Sequence, residues 1–468
     1  CAPMPEDASP TPAAEVGYDR RLGTFDATMV VVGAIIGAGI FLNPAIVAQR
    51  VGTSGLVLAA WAIGGVIAVV GALCFAELGA RAPRAGGGYV YLRDAFGPLP
   101  AFLYGWTQLL VINTGGLAAV AITFAGYTVD VAGVGDAWIK PLAVSAIVFL
   151  SGVNAAGVRF GAWVQNAFTL LKLAALALLV GAGAWLFTHD ALRPVVPGGM
   201  GASGAGVPQA SLVLAVGTAL VAVLFAYGGW QHANNIAEEI REPERRLPLA
   251  LVVGVGIVVT VYVAANAAYL AALGPEGLAA STAPAADALR AAAGRWGGVA
   301  MALGVACSTF GILNVFIMAA PRIYQAMAAD GIFFASVARL SPRTRTPVVG
   351  IWLQMVWAVL LALSGTYGQL LDWVVFGDWI FFGLIVATLF AYRRRGGPRA
   401  AFQAPAYPLL PALFVAAAAF VVFSSVVSNP RNAVYGTLLI GAGIPAFLAW
   451  RATARRPGPR PSRPPGPR

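Results

Sequence analysis

Two glycine clusters interrupt long apolar runs of this sequence. The first lies in GAIIGAGIFLNP, residues 33–44, where Gly33, Gly37 and Gly39 precede Pro44. A helix broken at such a cluster leaves backbone N–H and C=O groups without intrahelical partners. In an apolar environment, such backbone is tolerated only where it lines a cavity. A face of small residues for close helix packing is the alternative interpretation.

The second cluster lies in FAYGGWQHANN, residues 225–235, where Gly228 and Gly229 precede the polar residues Gln231 and His232. Polar groups in an apolar run need partners inside the protein. Two interrupted helices at corresponding positions of two halves are typical of a secondary transporter with its site between them. The two clusters together are therefore more specific than either alone.

A site between two such breaks has a defined chemistry. The half-helix that begins near Gly39 would present free N–H groups at its positive dipole end, which suits a carboxylate. The half-helices that end near Ile35 and Phe225 would present free carbonyls, which suit an ammonium. The two groups together predict recognition of an α-amino acid backbone, with the side chain of the ligand facing the rest of the pocket.

Lys172 lies deep inside a further apolar run. An ammonium in the bilayer core is costly and indicates a functional role. The alternative is a lysine that snorkels to the membrane interface, which the depth of Lys172 disfavours. Ser308 in a later run is a candidate partner, although a hydroxyl in a helix often bonds its own backbone.

Several side chains are weaker candidates. Gln108, Trp230, Gln231 and Trp379 are candidates for the side-chain pocket. Core packing is an equal alternative for Gln108, and packing or an interfacial belt is the alternative for the tryptophans. Asp378 is a candidate buried acid, for which the capping of a local helix break is the favoured role. Glu238 and Glu239 are expected to form ion pairs at an inner gate with the nearby residues Arg241, Arg245 and Arg246.

The sequence offers no group that suggests an enzyme. The histidines His189 and His232 are too far apart for a metal site, and the three cysteines show no pairing pattern. The apolar runs lack clustered His, Asp or Glu at one depth. We therefore predict no catalytic residue, no metal and no cofactor.

The elements that must position these residues are membrane helices. The chain has 468 residues, of which 59% are hydrophobic and only 10% charged, whereas soluble domains have about 25% charged residues. Because a span needs about 20 mostly apolar residues, the sequence predicts about twelve spans, at 25–50, 54–79, 99–129, 137–156, 160–187, 210–239, 247–273, 296–327, 347–365, 369–392, 408–427 and 433–452.

The spans divide into two halves. Spans 1 and 6 carry the breaks and lie five apart, as two five-helix repeats require. We predict a first repeat at 21–190, a second at 205–395 and two further helices at 405–453. Disordered tails are expected at 1–20 and 454–468, because their composition is proline-rich and of low complexity.

The basic residues set the orientation. With both termini in the cytoplasm, the inner segments hold most of the 30 Lys and Arg residues, including the run Arg393–Arg395. This is the positive-inside asymmetry of a plasma-membrane protein with several spans. It explains the net charge of +11 without nucleic acid, so we predict the lipid bilayer as the surroundings and no nucleic-acid partner.

The chain resembles the amino acid–polyamine–organocation transporter superfamily, and within it the L-type amino acid transporter branch and its bacterial relatives. The motifs that carry the resemblance are GAIIGAGIF, AELGARAPRAGGGYVYLRDAFG, VQNAFTLLK, FAYGGWQHANNIAEEIREPERRLPLA and PRIYQAMAADGIF, at 33–41, 76–97, 164–172, 225–250 and 321–333. The resemblance implies an all-α polytopic membrane protein with the LeuT-like 5+5 inverted repeat, in which helices 1 and 6 are broken.

The resemblance also implies roles for residues. Backbone N–H groups of Gly37, Ala38 and Gly39 would bind the substrate carboxylate. Carbonyls of Ile35, Phe225 and Gly228 would bind the amino group, and the Phe225 ring would close the site from outside. Ala38 stands where the family often has serine, so a hydroxyl is missing while the backbone donor remains.

Lys172 corresponds to the family lysine that fills the space of a sodium ion and bridges the first and eighth spans, where Ser308 lies. This implies sodium independence, although a proton-carrying role for Lys172 stays open. Animal members of the branch join a glycoprotein through a cysteine in the outer loop after span 3. Residues 130–137 contain no cysteine, so we expect no disulfide-linked heavy subunit.

We therefore predict a sodium-independent secondary transporter of amino acids that works by alternating access, as an exchanger or a proton symporter. Neutral substrates are favoured, because the pocket inferred from the sequence has no clear unpaired acid for a cationic side chain. The alternatives are a transporter of polyamines or other amines with the same fold, and an amino acid sensor that does not transport.

Overall fold

The computed structural model of the protein describes residues 18–188, 209–364, 367–396, 399–428 and 430–454. These residues form helices joined by short loops, with a single isolated bridge in place of a sheet. The predicted tails 1–20 and 454–468 lie almost wholly outside the described residues.

The apolar helices correspond to the predicted spans. Ten helices of the described residues are long and apolar enough to cross a membrane, and two shorter ones, Ala215–Tyr227 and Val348–Ser364, occupy predicted spans 6 and 9. The helices are α1 Thr24–Ile35, α2 Gly39–Val51, α3 Ser54–Arg81, α4 Gly88–Phe96, α5 Pro98–Thr107, α6 Asn113–Ala132, α7 Ile139–Ala155, α8 Val158–Thr188, α9 Gln209–Tyr227, α10 Gln231–Asn235, α11 Pro243–Ala280, α12 Pro284–Ala319, α13 Pro321–Ala329, α14 Val348–Ser364, α15 Tyr367–Arg394, α16 Leu409–Ser428, α17 Pro430–Gly441 and α18 Gly443–Ala454.

The first span is broken, as the glycine cluster predicts. α1 ends at Ile35 and α2 begins at Gly39, with three non-helical residues between them. Gly33 does not take part in the break, contrary to the sequence interpretation, because it lies inside α1. A Cβ on Gly33 would collide with the side chains of Gln165 and Thr169. Gly33 is therefore a packing residue for α8.

Pro44 continues α2 instead of ending it. A proline inside a helix removes the N–H that would bond the carbonyl four residues earlier, which here is the carbonyl of Ile40. The hydroxyl of Tyr269 in α11 donates to this carbonyl at 3.2 Å. A buried side chain from another span thus replaces the hydrogen bond that the proline removes.

The sixth span is broken at the second glycine cluster. α9 ends at Tyr227, and the five-residue helix α10 starts at Gln231. Gly229 takes a φ of +123°, a conformation that favours glycine because it has no Cβ. The break therefore depends on the residue type at this position.

A third irregularity lies in span 3, where a π-helical turn at Gln108–Ile112 separates α5 from α6. The sequence gives no glycine or proline signal for it. Such single π turns are frequent at functional sites. Here the turn sets the positions of Gln108 and Asn113, both of which are buried.

A buried carboxylate ties distant parts of the chain together. Glu77 in α3 is paired with Arg393 of α15 at 2.6 Å and with Arg81 at 2.8 Å. It also accepts the backbone N–H of Ala404 at 2.8 Å. Because the Glu77 side chain has no exposed surface, the two arginines depend on it for charge compensation.

We predict that Glu77→Gln lowers the free energy of unfolding by about 3 kcal/mol, because removing one partner of a buried ion pair leaves the other charge uncompensated. Thermal unfolding of the purified protein in detergent measures this. Glu242→Gln is the matched control, since Glu242 pairs with Arg246 and its side chain is 65% exposed. This control should change stability by less than about 0.5 kcal/mol. Equal losses in the two variants would contradict the structural role of Glu77.

Candidate functional site

The two helix breaks lie against each other. A Cβ on Gly229 would come within 2.7 Å of the Ala34 carbonyl carbon, and one on Gly39 within 2.7 Å of Ala226 Cα. Glycine is therefore required by the close approach of one broken helix to the other, and both breaks open into the same space.

A cavity of about 50 Å³ occupies this space. Its walls come from both breaks and from α6, α12 and α15. Eight residues predicted from the sequence line it, namely Ile35, Gly37, Ala38, Gly39, Phe225, Gly228, Gln231 and Trp379.

Donor groups lie on one side of the cavity. α2 begins here, so the amides of its first turn have no intrahelical acceptor. Within the described part of the chain, no backbone carbonyl accepts from the amides of Gly37 and Ala38. The Gly37 amide instead contacts the hydroxyl of Tyr262. The N-terminus of α2 therefore presents the partial positive charge that a carboxylate requires.

The carbonyls at the opposite ends are less free than the sequence predicts. Tyr262 of α11 donates to the Ile35 carbonyl at 2.9 Å and lies 3.2 Å from the carbonyl oxygen of Ala226. The Phe225 carbonyl accepts from the Gly228 amide at 3.2 Å. A carbonyl has two acceptor positions, so the oxygens of Ile35 and Phe225 each keep one for an ammonium.

The sequence analysis missed Tyr262. Its side chain contacts both broken helices at once, and it lies seven residues before Tyr269, which supports the carbonyl next to Pro44. Positions seven apart share one face of a helix. Two tyrosines at this spacing in an apolar span were the sequence signal from which Tyr262 could have been predicted to support the broken helices.

Two predicted pocket residues lie behind the wall instead of in it. Trp230 packs against Phe75 and Phe382, with ring centroids 6.3 and 5.5 Å apart. Gln108 accepts a hydrogen bond from Asn113 and makes one to Asp378. Neither Trp230 nor Gln108 contacts the cavity, so their roles are support and positioning.

Lys172 lies outside the cavity, beside the end of α1. Its ammonium donates to the carbonyl of Gly33 at 2.9 Å and to that of Ile36 at 2.7 Å. Ser308 of α12 donates to the same Ile36 carbonyl at 3.4 Å. Lys172 is fully buried, so it does not snorkel, and its charge compensates the negative end of the α1 dipole.

Three polar side chains outside the predicted pocket residues also line the cavity, namely Asn113, His232 and Asp378. Asp378 lies within the continuous helix α15, so its expected role in capping a helix break is wrong. The premise that the pocket holds no unpaired acid is wrong as well, because one oxygen of Asp378 has no hydrogen-bond partner among the described residues.

Glu239 forms a different ion pair from the one expected. Glu239 pairs with Arg322 of α13 at 2.8 Å, and both side chains are buried. Burial raises the pKa of Glu239, although Arg322 opposes the shift. The backbone of residues 21–22 bonds to residues 239 and 241 beside this pair. The neighbouring arginines after Glu239 do not form this contact.

These features define a class of protein. Discontinuous helices that meet at a partly polar cavity among membrane spans are the architecture of a secondary transporter. The chain belongs to the amino acid permease family, whose model matches residues 22–448. This match confirms the resemblance drawn from the sequence motifs.

Three relatives cover most of the chain. The b(0,+)-type amino acid transporter 1 of Homo sapiens is 33% identical over 91% of this chain and 86% of its own length. The serine/threonine exchanger SteT of Bacillus subtilis is 29% identical over 93% and 98%. The large neutral amino acids transporter small subunit 2 of Rattus norvegicus is 31% identical over 95% and 83%.

We predict that Gly39→Ala reduces substrate uptake by about tenfold or more. The added methyl would force α2 away from Ala226, and overpacking of this kind costs about 1–3 kcal/mol. Uptake into proteoliposomes with equal protein content measures the effect. Gly256→Ala in α11 is the control, because a Cβ there meets open space. Normal uptake by Gly39→Ala would contradict the close approach of the two breaks.

Proposed function

We propose that this chain is a secondary transporter that moves small neutral α-amino acids across the plasma membrane without sodium. The observation that carries the proposal is the single cavity lined by the amide end of α2 and by the carbonyl ends of α1 and α9. These backbone groups suit the carboxylate and the ammonium of the substrate, while the side-chain wall of the cavity is mostly apolar. No step requires an enzymatic group or a cofactor.

In this proposal the amides of Ala38 and Gly39 bind the carboxylate, and the Gly37 amide joins them only by leaving the Tyr262 hydroxyl. Carbonyls of Ile35, Phe225 and Gly228 bind the ammonium. The family membership and the names of the relatives support amino acids as the substrates. The small volume, about 50 Å³, favours a short side chain, since one water needs about 10–15 Å³ of such space. Phe225 and Gln231 would close the two ends.

Sodium independence rests on Lys172. A sodium ion at this depth would need the carbonyl and hydroxyl oxygens that Lys172 and Ser308 already contact, in particular the Ile36 carbonyl. A fixed ammonium therefore occupies the position of a mobile cation. Alternating access would follow from movement of the broken helices with α3 and α11 against the remaining spans.

The orientation and partners are also proposals. Most of the basic residues, including Arg393–Arg395, lie on one side of the predicted topology, which supports an orientation with both termini in the cytoplasm. The two inverted repeats, 21–190 and 205–395, would each supply one broken helix. The rat relative is named as a small subunit, but this chain has no cysteine at residues 130–137. A disulfide-linked partner at that loop is therefore not part of the proposal.

Uptake of labelled amino acids into proteoliposomes tests the function. We expect uptake of small neutral amino acids that is equal in sodium and choline buffers. Loading the vesicles with unlabelled substrate distinguishes exchange, which requires internal substrate, from proton symport, which requires an acidic exterior. Sodium-dependent uptake would overturn the assignment of Lys172. Uptake of polyamines with no uptake of amino acids would overturn the proposed substrate.

We predict that Lys172→Gln lowers uptake about tenfold to a hundredfold, because charge-assisted hydrogen bonds contribute about 1.5–3 kcal/mol and two of them hold the end of α1. Lys140→Gln is the matched control. Lys140 is the other lysine of the chain and bonds the Leu363 carbonyl at an exposed position. Equal uptake by the two variants would show that the buried ammonium has no role in transport.

A further inference from the structure

Asp378 projects from α15 into the wall of the cavity. Its Oδ1 atom is buried and has no hydrogen-bond partner among the described residues. A buried acceptor without a donor costs about 1–3 kcal/mol, and more when it is charged. An acceptor of this kind at the edge of a binding cavity is explained most simply by a donor that arrives with the ligand.

The carboxylate is held in place from behind. Gln108 makes a hydrogen bond to it. The Gln108 amide oxygen is occupied, because it accepts from the Asn113 side chain, so its NH₂ group is the part left to face Asp378. Gln108 and Asn113 lie at the two ends of the π-helical turn. This irregular turn therefore fixes one carboxylate oxygen and leaves the other for the cavity.

No cation within the described residues balances this acid. The Asp378 carboxyl group is buried and forms a hydrogen bond with Gln108. The buried Lys172 instead donates to backbone carbonyls at the end of α1. The nearby titratable side chains that line the cavity or pack behind it are His232 and Tyr104. The Oδ1 acceptor is therefore not committed to a basic side chain of the protein.

We propose that Asp378 determines specificity by accepting a hydrogen bond from the side-chain hydroxyl of a small hydroxylic amino acid. This proposal rests on the proposed function, since it assigns the side-chain end of the same site. The cavity volume of about 50 Å³ excludes long side chains in this conformation. A hydroxyl satisfies one acceptor with its one proton, which is what the Asp378 Oδ1 atom offers.

A side-chain ammonium fits less well. It carries three protons, and three side-chain atoms of cavity-lining residues lack partners among the described residues, namely Asp378 Oδ1, Asn113 Oδ1 and His232 Nδ1. An ammonium is fully paired only if all three of these atoms face one position, whereas a hydroxyl donor needs the Asp378 acceptor alone. The hydroxyl is therefore the better match to the observed acceptors.

Competition against labelled alanine in proteoliposomes tests the assignment. The competitors are serine, threonine, valine and 2,3-diaminopropionate, because valine matches threonine in shape without a hydroxyl and diaminopropionate replaces the serine hydroxyl with an amine. For the wild-type protein we expect threonine to compete at least about tenfold more strongly than valine, as a hydrogen bond to a charged group implies. In Asp378→Leu the threonine-to-valine ratio should fall to about one.

Two further variants keep the result interpretable. Asp378→Asn retains an oxygen acceptor without the charge and should leave an intermediate ratio of about two to tenfold; it carries the test if Asp378→Leu does not fold. Thr388→Val in the same helix removes a hydroxyl that bonds the Ile385 carbonyl and should leave the ratio unchanged. Each ratio is internal to one preparation, so differences in protein yield cancel.

The possible failures are separate. Absence of any amino acid uptake by the wild-type protein would overturn the proposed function itself. Uptake of alanine with equal competition by threonine and valine would overturn only the role of Asp378. Stronger competition by diaminopropionate than by serine would show that the acid selects an amine, which would also overturn the hydroxyl assignment.

Discussion

An interrupted helix in a membrane must find partners for its backbone inside the protein, and most of the central structure follows from this constraint. Water is absent from the bilayer core, so each unpaired amide or carbonyl is costly there. The breaks after Ile35 and Tyr227 create such groups in the middle of two spans. Either other side chains or a ligand must satisfy them. Backbone groups that side chains satisfy are structural, and backbone groups that remain unpaired can bind a ligand.

A few buried side chains form hydrogen bonds to the backbone groups at the breaks. Lys172 donates hydrogen bonds to two carbonyls at the end of α1, and Tyr262 contacts the ends of both α1 and α9. Asn43 of α2 donates to the Ala222 carbonyl at 2.7 Å, which ties the two half-helices on the other side of the cavity. The amides at the start of α2 have no backbone acceptor, and they line the cavity together with the second acceptor positions of the Ile35 and Phe225 carbonyls.

The sequence predicts the positions of the breaks because glycine is a local signal. Gly37 and Gly39 lie close together in one apolar run, and Gly228 and Gly229 are adjacent in another, so both clusters are visible without a structure. The partners are not local. Tyr262 contacts Ile35 across 227 positions of the chain, and Arg322 contacts Glu239 across 83. The prediction that Glu239 pairs with arginines close to it in sequence was therefore wrong. The role of Asp378 was misread for the same reason, because the π-helical turn that positions Gln108 has no residue signature.

The buried pair of Glu239 and Arg322 sets a condition on any movement of α1 away from the loop after α10. Each side chain is at most 2% exposed, and separating a buried pair without new partners costs several kcal/mol. The backbone contacts between residues 21–22 and 239–241 must separate at the same time if α1 moves away from the loop after α10. Separation of the pair therefore requires that water or another side chain replaces each partner. Arg322 also donates to the Met318 carbonyl of α12. Glu239 Oε2 and Arg322 Nη2 each lack a hydrogen-bond partner among the described residues, so both members of the pair need new partners when it separates.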